Sequence, residues 1–311
     1  MNRVRRSVAA VVSSLAAVLI AGGLAGMAQA RDIGFGGDHD VSRTVAFGGS
    51  CQHCELSGRK LIGATFTAAN FNSATLVGSD LRGAQLLGSD FESSNFTRAD
   101  LRNAQMPGAK FRNAVFASAM LQGVSAQGAV FEEANLTAAR LDGASLLAAK
   151  FHEARLIGTV FVNTELTGAD LSEAKAPGAD FTGASLELAR LTEGDFNHAS
   201  FRKASLEGAV LKRAGFDGAD FAGARLEGAD LRDADLSGAR HLTQSQIDFA
   251  CTDHATRLPE GLTGHGCSLK ALKSAALRKA LDRALGVKAP PVPPAPPAPP
   301  SEPRNFASDD R

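Results

Sequence analysis

Leu and Phe recur at every fifth position over most of this chain. From Cys54 to Gly238 the sequence divides into 37 consecutive units of five residues, whose central residue is Leu in 20 units and Phe in 14. The other centres are Met106, Ala126 and Ala176. Ala lies two residues before the centre in 28 units, and Gly is frequent two residues after it. This spacing indicates one structural unit repeated many times.

A period of five fits neither a regular helix nor a flat strand. On an α-helix, five residues advance about 140° beyond a full turn, so the apolar residues would spread around every side. On a strand, an odd period would put successive centres on opposite faces. The chain must therefore turn once per unit, with the centre and the preceding Ala pointing inward.

The residue just before each centre should then point outward. Asp80, Lys110, Arg140 and Asp170 occupy this position, and such charged residues are typical of a solvated surface. We therefore expect replacement of Asp170 by Ala to cost less than about 0.5 kcal/mol. Gly two residues after the centre would supply the backbone angles of a tight corner.

The spacing of Phe predicts how many units close one coil. Nine pairs of central Phe lie 20 residues apart, whereas four pairs lie 15 apart. The excess at 20 predicts four units per coil, with equivalent rings stacked about 4.8 Å apart. The two main predicted columns are Phe71, Phe91, Phe111, Phe131 and Phe151, and Phe161, Phe181, Phe201 and Phe221.

This pattern resembles the pentapeptide-repeat family, whose units read Ala, then Asp or Asn, then Leu or Phe, as in Ala229-Asp230-Leu231. The resemblance covers 185 of the 311 residues. It implies an all-β fold, a right-handed quadrilateral parallel β-helix, which we assign to residues 51–240. About nine coils would form a rod roughly 43 Å long. Some members of the family mimic DNA and bind gyrase.

The start of the chain predicts export. Residues 1–30 combine a basic start, an apolar run and the cleavage triplet Ala28-Gln29-Ala30, as in a secretory signal peptide. The alternative, a membrane anchor, is less favoured because Ser and Gly interrupt the apolar run. We expect a mature chain that begins at Arg31, lies in the periplasm or outside the cell, and has no transmembrane segment. Residues 31–50 would form a leader that caps the first coil.

The segment after the repeats, 241–287, is predicted to close the β-helix with two short helices. Thr243 to Gln246 has the sequence of a capping box that opens the first helix. Ile247 and Phe249 would plug the last coil. The second helix, 269–285, is amphipathic, and we favour its packing on the solenoid end over membrane-surface docking or homodimer formation. The Pro-rich tail 288–311 is expected to be disordered or a spacer.

The four cysteines lie at the two ends of the repeats. Cys51 and Cys54 fall in phase with inward positions, which favours a local disulfide or buried thiols over a redox pair. In an exported protein, Cys251 and Cys267 would form a second disulfide. A zinc site formed by the two cysteines with His254 and His265 is the weaker alternative. Only the first half of this motif, Cys251 to His254, has the spacing of zinc ligands.

One predicted face carries little charge until its far end, where Glu187, Glu207 and Glu227 stack in one column. The uncharged positions of this face include Thr65, Thr67, Gln85, Gln105, Ser125, Gln127, Ser145, Thr167, Ser185 and Ser205. The three Glu are weak candidates for a cation site, because like charges about 5 Å apart repel. The alternative is ordinary surface carboxylates relieved by Arg225.

The charge and the motifs restrict the function. Removing residues 1–30 removes three Arg and leaves 30 basic and 33 acidic residues, a net charge of −3. This favours neither a nucleic-acid binder nor a strong DNA mimic. The sequence shows no nucleophile–base set and no phosphate loop. We therefore expect a non-catalytic module that needs no cofactor and binds an unknown protein or cell-envelope component. The alternatives are a ligand- or cation-dependent adhesion module and, less favoured, a gyrase-binding DNA mimic.

Overall fold

The coils of the molecule are joined by single-residue parallel bridges that recur every five residues. Each bridge in the series from Ser50 to Arg240 pairs a residue with the residue 20 positions later. The computed structural model describes residues 49–267, and four units make one coil throughout the repeats. The predicted parallel β-helix is therefore confirmed. Within this described range a short helix, α1, spans Gln244–Ile247. Within residues 49–267 no helix is long and apolar enough to cross a bilayer.

Main-chain hydrogen bonds hold each coil to the next. Leu81 N, for example, donates to Asp100 O at 2.7 Å. Ala84 N closes the corner by donating to Leu81 O at 3.0 Å. This pattern repeats along the solenoid and uses four of the five amides of a typical unit, so that only the amide just after the centre lacks a main-chain acceptor.

The Asp and Asn residues before the centre supply that missing acceptor. Asp170 Oδ1 accepts from Ser172 N at 3.0 Å and from Ser172 Oγ at 2.6 Å. This is an Asx turn, in which a short side chain bonds to the backbone two residues on. The interpretation of Asp170 as a merely solvated residue was therefore wrong. The same backbone bond is made by Asn70, Asp80, Asp90, Asn95, Asp100, Asn135, Asp180, Asp195, Asp220, Asp230 and Asp235.

The core is a narrow column of Leu, Phe and Ala. The central Leu and Phe residues are almost completely buried, and so are nearly all the Ala residues that precede them. All nine Phe pairs predicted from the 20-residue spacing are stacked, with ring centroids 4.7–5.6 Å apart and planes within 16°. Neighbouring columns meet edge to face, as between Phe111 and Phe116 at 5.2 Å. The five-residue period of the sequence was therefore enough to predict which residues form the core.

The segment after the repeats closes the C-terminal end. Gln246 Oε1 accepts from Thr243 N at 2.8 Å, so the predicted capping box is present. Ile247 is 1% exposed and fills the plug position. Phe249 was also predicted to plug the core, but it is 56% exposed because α1 ends at Ile247 and the chain turns there.

Three carbonyls of the closing segment take the place of a further coil. Phe249 O, Cys251 O and Arg257 O accept from Gly228 N, Leu231 N and Leu236 N at 2.7–2.8 Å. These bonds satisfy amides that would otherwise form an exposed strand edge. The predicted cap is therefore present for residues 241–267. The second helix, the Pro-rich tail, the signal peptide and residues 31–48 of the leader lie outside the described residues, as does the alternative homodimer helix.

Truncation of Phe111 should show how much the stacked column stabilises the fold. The ring contacts Phe91 and Phe131 face to face. We expect Phe111→Ala to leave a cavity and to lower the free energy of unfolding by about 3–5 kcal/mol, measured by urea denaturation. The control is Lys110→Ala, an exposed neighbour, with a loss under about 0.5 kcal/mol. Equal losses for both variants would contradict the inward phase.

Removal of the Asx turn at Asp170 should have a larger effect than expected for a solvated residue. We expect Asp170→Ala to lower the free energy of unfolding by about 1 kcal/mol, because the Ser172 amide loses its acceptor. Asp170→Asn is the matched control, since it keeps Oδ1 and should retain most of the stability. If the Ala and Asn variants are equally stable, the turn contributes nothing measurable.

Candidate functional site

The three Glu of the predicted acidic column lie along one face, where Glu187 and Glu207 are buried and Glu227 is partly exposed. Glu187 is 3% exposed and Glu207 is 7% exposed. Thr167 Oγ1 donates to Glu187 Oε2 at 3.3 Å. The column therefore packs into the surface and makes its own polar contacts.

Arg225 lies between the carboxylates of this column. Its guanidinium is 2.8 Å from Glu207 Oε1 and 3.6 Å from Glu187 Oε1, and it also donates to Ser205 Oγ at 2.7 Å. Glu227 Oε2 is buried and has no hydrogen-bond partner among residues 49–267. Within that range no group of three or more His, Cys, Asp and Glu is placed to hold a metal ion. The contacts of Arg225 thus relieve the charges of Glu187 and Glu207, as the alternative of an ordinary carboxylate column with Arg225 beside it expects.

The middle of the same face carries a chain of side-chain hydrogen bonds. Ser125 Oγ donates to Gln127 Oε1 at 2.7 Å, and Gln127 Nε2 donates to Ser145 Oγ at 2.9 Å. Ser145 Oγ then donates to Glu165 Oε2 at 2.9 Å. These side chains therefore bond to one another across successive coils.

The cysteine pairs at the two ends of the solenoid are in different oxidation states. Cys51 and Cys54 form a disulfide with Cα atoms 5.4 Å apart, one of the two states expected from their inward phase. Cys251 and Cys267 are free thiols, so the predicted second disulfide is not formed in the structure. Burial raises the pKa of Cys251 to about 12, which keeps this thiol protonated and disfavours the thiolate from which a disulfide forms. His265 Nε2 contacts Asp248 Oδ1 at 3.3 Å and takes part in no metal-holding group of residues 49–267.

An open depression near the C-terminal end is lined by Lys212, Arg213, Arg232, Asp233 and Asp253. Its cations are already paired. Lys212 and Arg232 lie 3.3 and 2.7 Å from Asp230, and Arg213 contacts Glu193. Such a set of paired charges offers neither an activated nucleophile nor a free anion site.

One of the four corner columns contains no Gly, a feature that the sequence reasoning missed. It consists of the residues two after the centre at 20-residue intervals, and we call it the glycine-free corner. All ten members have φ between 56° and 61°. They are His53, Ser73, Ser93, Asn113, Glu133, Glu153, Glu173, Glu193, Arg213 and Asp233.

The other three corner columns contain Gly at most of their positions. They contain 27 residues with positive φ between positions 58 and 228, and 17 of these are Gly. A side chain in this left-handed region costs on the order of 1 kcal/mol, a cost that Gly avoids. Ten such residues lie in this one column, whereas the other ten are spread over three columns. The signal in the sequence was that one corner position, repeated every 20 residues, never holds Gly.

The middle of the glycine-free corner is a stack of four exposed carboxylates, Glu133, Glu153, Glu173 and Glu193. They repeat with the coil, roughly 4.8 Å apart. Arg112 lies 3.1 Å from Glu133, His152 lies 3.3 Å from Glu153, and Arg213 pairs with Glu193. The side chain of Glu173 has no ion pair or hydrogen bond within residues 49–267. The stack therefore presents a line of negative charge that is only partly neutralised.

A second charged cluster lies where the repeats meet the closing segment. Asp220 is 8% exposed and contacts Arg202 at 2.8 Å and His241 Nδ1 at 2.9 Å. Burial raises the pKa of Asp220, but hydrogen bonds from the Ala222 amide, His241 and Arg202 outweigh burial and lower the pKa to about 2. This carboxylate holds the first residue of the closing segment against the last coils.

Comparison with known families agrees with this architecture. Two models described as pentapeptide repeats match the chain, one over stretches between 50 and 187 and the other over 196–240. Together they cover more than half of the 311 residues. The chain therefore belongs to the pentapeptide-repeat family.

Solved structures of this family are similar to the chain. HetL, a pentapeptide repeat protein involved in heterocyst differentiation regulation in Nostoc sp. strain PCC 7120, is 28% identical, with a TM-score of 0.59 over 73% of this chain and 96% of HetL. AT2G44920, from the thylakoid lumen of Arabidopsis thaliana, is 26% identical over 52% of this chain and 86% of that protein, with a TM-score of 0.20. A search of curated proteins found no match.

The Asp220 cluster should make stability depend on pH in the acid range. Because its pKa falls from the ordinary value of 3.8 to about 2 on folding, its contribution is present above pH 4 and is lost as pH falls through 2. We expect this contribution to be about 2 kcal/mol at most. Urea unfolding at pH 6 and pH 2 should show a smaller pH effect for Asp220→Asn than for the unmodified protein. The same pH effect in both would contradict the assignment.

Proposed function

We propose that this protein is an exported, non-catalytic interaction module whose rod binds a protein partner along the glycine-free corner. In this proposal the mature chain begins at Arg31 and acts in the periplasm or outside the cell. The coil winds to the right, as the family resemblance implies. The partner is a cell-envelope or secreted protein, and neither nucleic acid nor a cofactor is involved.

The observation that carries the proposal is the retention of side chains at ten successive corners where Gly would be cheaper. The fold does not need these side chains, because the other three corners use Gly at most positions. They are exposed at Glu133, Glu153, Glu173 and Glu193 and take no part in the core. A surface that keeps costly side chains is best explained by contact with another molecule.

The charge of the corner defines the kind of partner. Four carboxylates in a line about 14 Å long, at a coil spacing of roughly 4.8 Å, complement a protein surface with several Lys or Arg. Arg112 and Arg213 pair with the two ends of the line and His152 contacts Glu153, so Glu173 is the most available member. Contacts of this kind on an exposed rim increase the association rate and depend on salt.

The acidic column at Glu187, Glu207 and Glu227 does not favour a second function. Arg225 already occupies the space between two of its carboxylates, and Glu187 and Glu207 are too buried to reach a partner. Cation-dependent adhesion along this column is therefore disfavoured.

Gly substitutions separate binding from folding at the corner. We expect replacement of Glu133, Glu153, Glu173 and Glu193 by Gly to leave thermal stability unchanged or higher, because the left-handed backbone is relieved. The same variant should lose the crosslinks that the mature protein forms with its partner in native envelope fractions. Mass spectrometry of the unmodified protein should place those crosslinks beside the glycine-free corner, and added salt should weaken them.

The matched control replaces other left-handed residues. Ala68, Ala138 and Ala148 are exposed corner residues outside this column, and their change to Gly should leave the crosslinks intact. Crosslinks that persist in the four-Gly variant, or that map to another face, would overturn the assignment of the corner.

Export of the protein can be tested separately from binding. The expected N-terminus of protein purified from native cells is Arg31, since Ala28-Gln29-Ala30 fits a signal-peptidase site. Intact-mass measurement on fractionated cells checks both the cleavage and the compartment. A chain that keeps Met1 and fractionates with the cytoplasm would contradict the export proposal without affecting the binding test.

A further inference from the structure

Cys251 and Cys267 lie close together in the closing segment, at the C-terminal end of the solenoid. The residues beside them are bonded to each other, because Gly266 N donates to Thr252 Oγ1 at 3.2 Å. A Cβ on Gly264 would lie 2.5 Å from the same Oγ1, so the returning chain packs closely against Thr252. Cys251 and Cys267 are the chain neighbours of Thr252 and Gly266, so the bond between those two residues places the two cysteines close to each other. The fold thus brings together two cysteines that are 16 positions apart in the sequence.

The two thiols have unequal access to solvent. Cys251 is 2% exposed, whereas Cys267 is exposed. Burial, together with the hydrogen bond and charge of Cys267, raises the pKa of Cys251 to about 12. A thiol that stays protonated and buried is a poor first nucleophile, so any soluble oxidant must react first at Cys267.

We propose that Cys251 and Cys267 are a redox-sensitive latch whose disulfide fastens the closing segment to the end of the β-helix. The oxidant is a small disulfide or a disulfide oxidoreductase of an exported compartment. The Cys267 thiolate attacks one sulfur of the oxidant, forms a mixed disulfide and releases one thiol. Cys251 then loses its proton, its sulfur attacks the Cys267 sulfur, and the second thiol of the oxidant leaves. Two protein thiols are oxidised and one external disulfide is reduced to two thiols.

The latch would enclose the part of the closing segment that completes the solenoid edge. Between the two cysteines lie Arg257, whose carbonyl accepts from Leu236 N at 2.7 Å, and Leu258 and Leu262, which pack against the core. A covalent link across this loop restricts the detached state more than the attached one. Oxidation should therefore hold these contacts in place, and reduction should let the segment detach more easily.

Trypsin mapping of the mature protein tests the bond directly, because Arg257 lies between the two cysteines. Samples are equilibrated with reduced or oxidised glutathione, alkylated and digested. In the oxidised sample we expect peptides 241–257 and 258–270 joined through Cys251 and Cys267, and in the reduced sample we expect them separate. Cys51 and Cys54 lie within a single peptide, 44–59, and so cannot produce this link.

The variant Cys267→Ser completes the test. Oxidised protein should melt roughly 5–10 °C above reduced protein in the unmodified chain, and this difference should shrink in Cys267→Ser, where only the Cys51–Cys54 bond can respond. A glutathione adduct on Cys267 with Cys251 still alkylated, or alkylation of both after oxidation, would overturn the latch. If the linked peptide forms but the unmodified protein and Cys267→Ser show the same melting difference between their oxidised and reduced forms, the disulfide does not fasten the closing segment.

Discussion

The register of 20 residues between successive coils is the constraint on which the rest of the molecule depends. Every bridge of the repeats joins a residue to its equivalent one coil later, so each outward or inward position stacks on a copy of itself. Stacking like on like suits apolar rings, which explains the parallel Phe columns around Phe111. It is unfavourable for like charges, so columns such as Glu187 and Glu207 need a cation between them, and Arg225 supplies it.

The same register explains the five-residue unit itself. Four amides of a typical unit find main-chain acceptors, and a short acid or amide side chain before the centre accepts the fifth. Asp and Asn at this position are thus part of the backbone bonding and not surface decoration. Units with Val, Lys or Arg at that position, such as those at Lys110 and Val130, show that the turn also forms without this bond.

Much of the fold could be predicted from the period, because an inward column repeats a residue type. The Phe stacks, the buried Ala and the capping box at Thr243 all follow from local patterns. Properties that depend on neighbours in space could not be predicted in this way. The burial of Glu187 depends on side chains 20 residues away on either side. The exposure of Phe249 depends on where a four-residue helix stops, which its sequence pattern leaves open.

The glycine-free corner separates the part of the chain that can change from the part that cannot. None of its residues belongs to the buried core, and each one alters the surface at one height along the rod. A substitution there changes a single point in a row of regularly spaced groups and leaves the coil beneath it intact. New recognition surfaces can therefore arise one mutation at a time on an unchanged scaffold, with each intermediate still folded. The same repeat that gives the interior its uniform packing lets the glycine-free corner change during evolution.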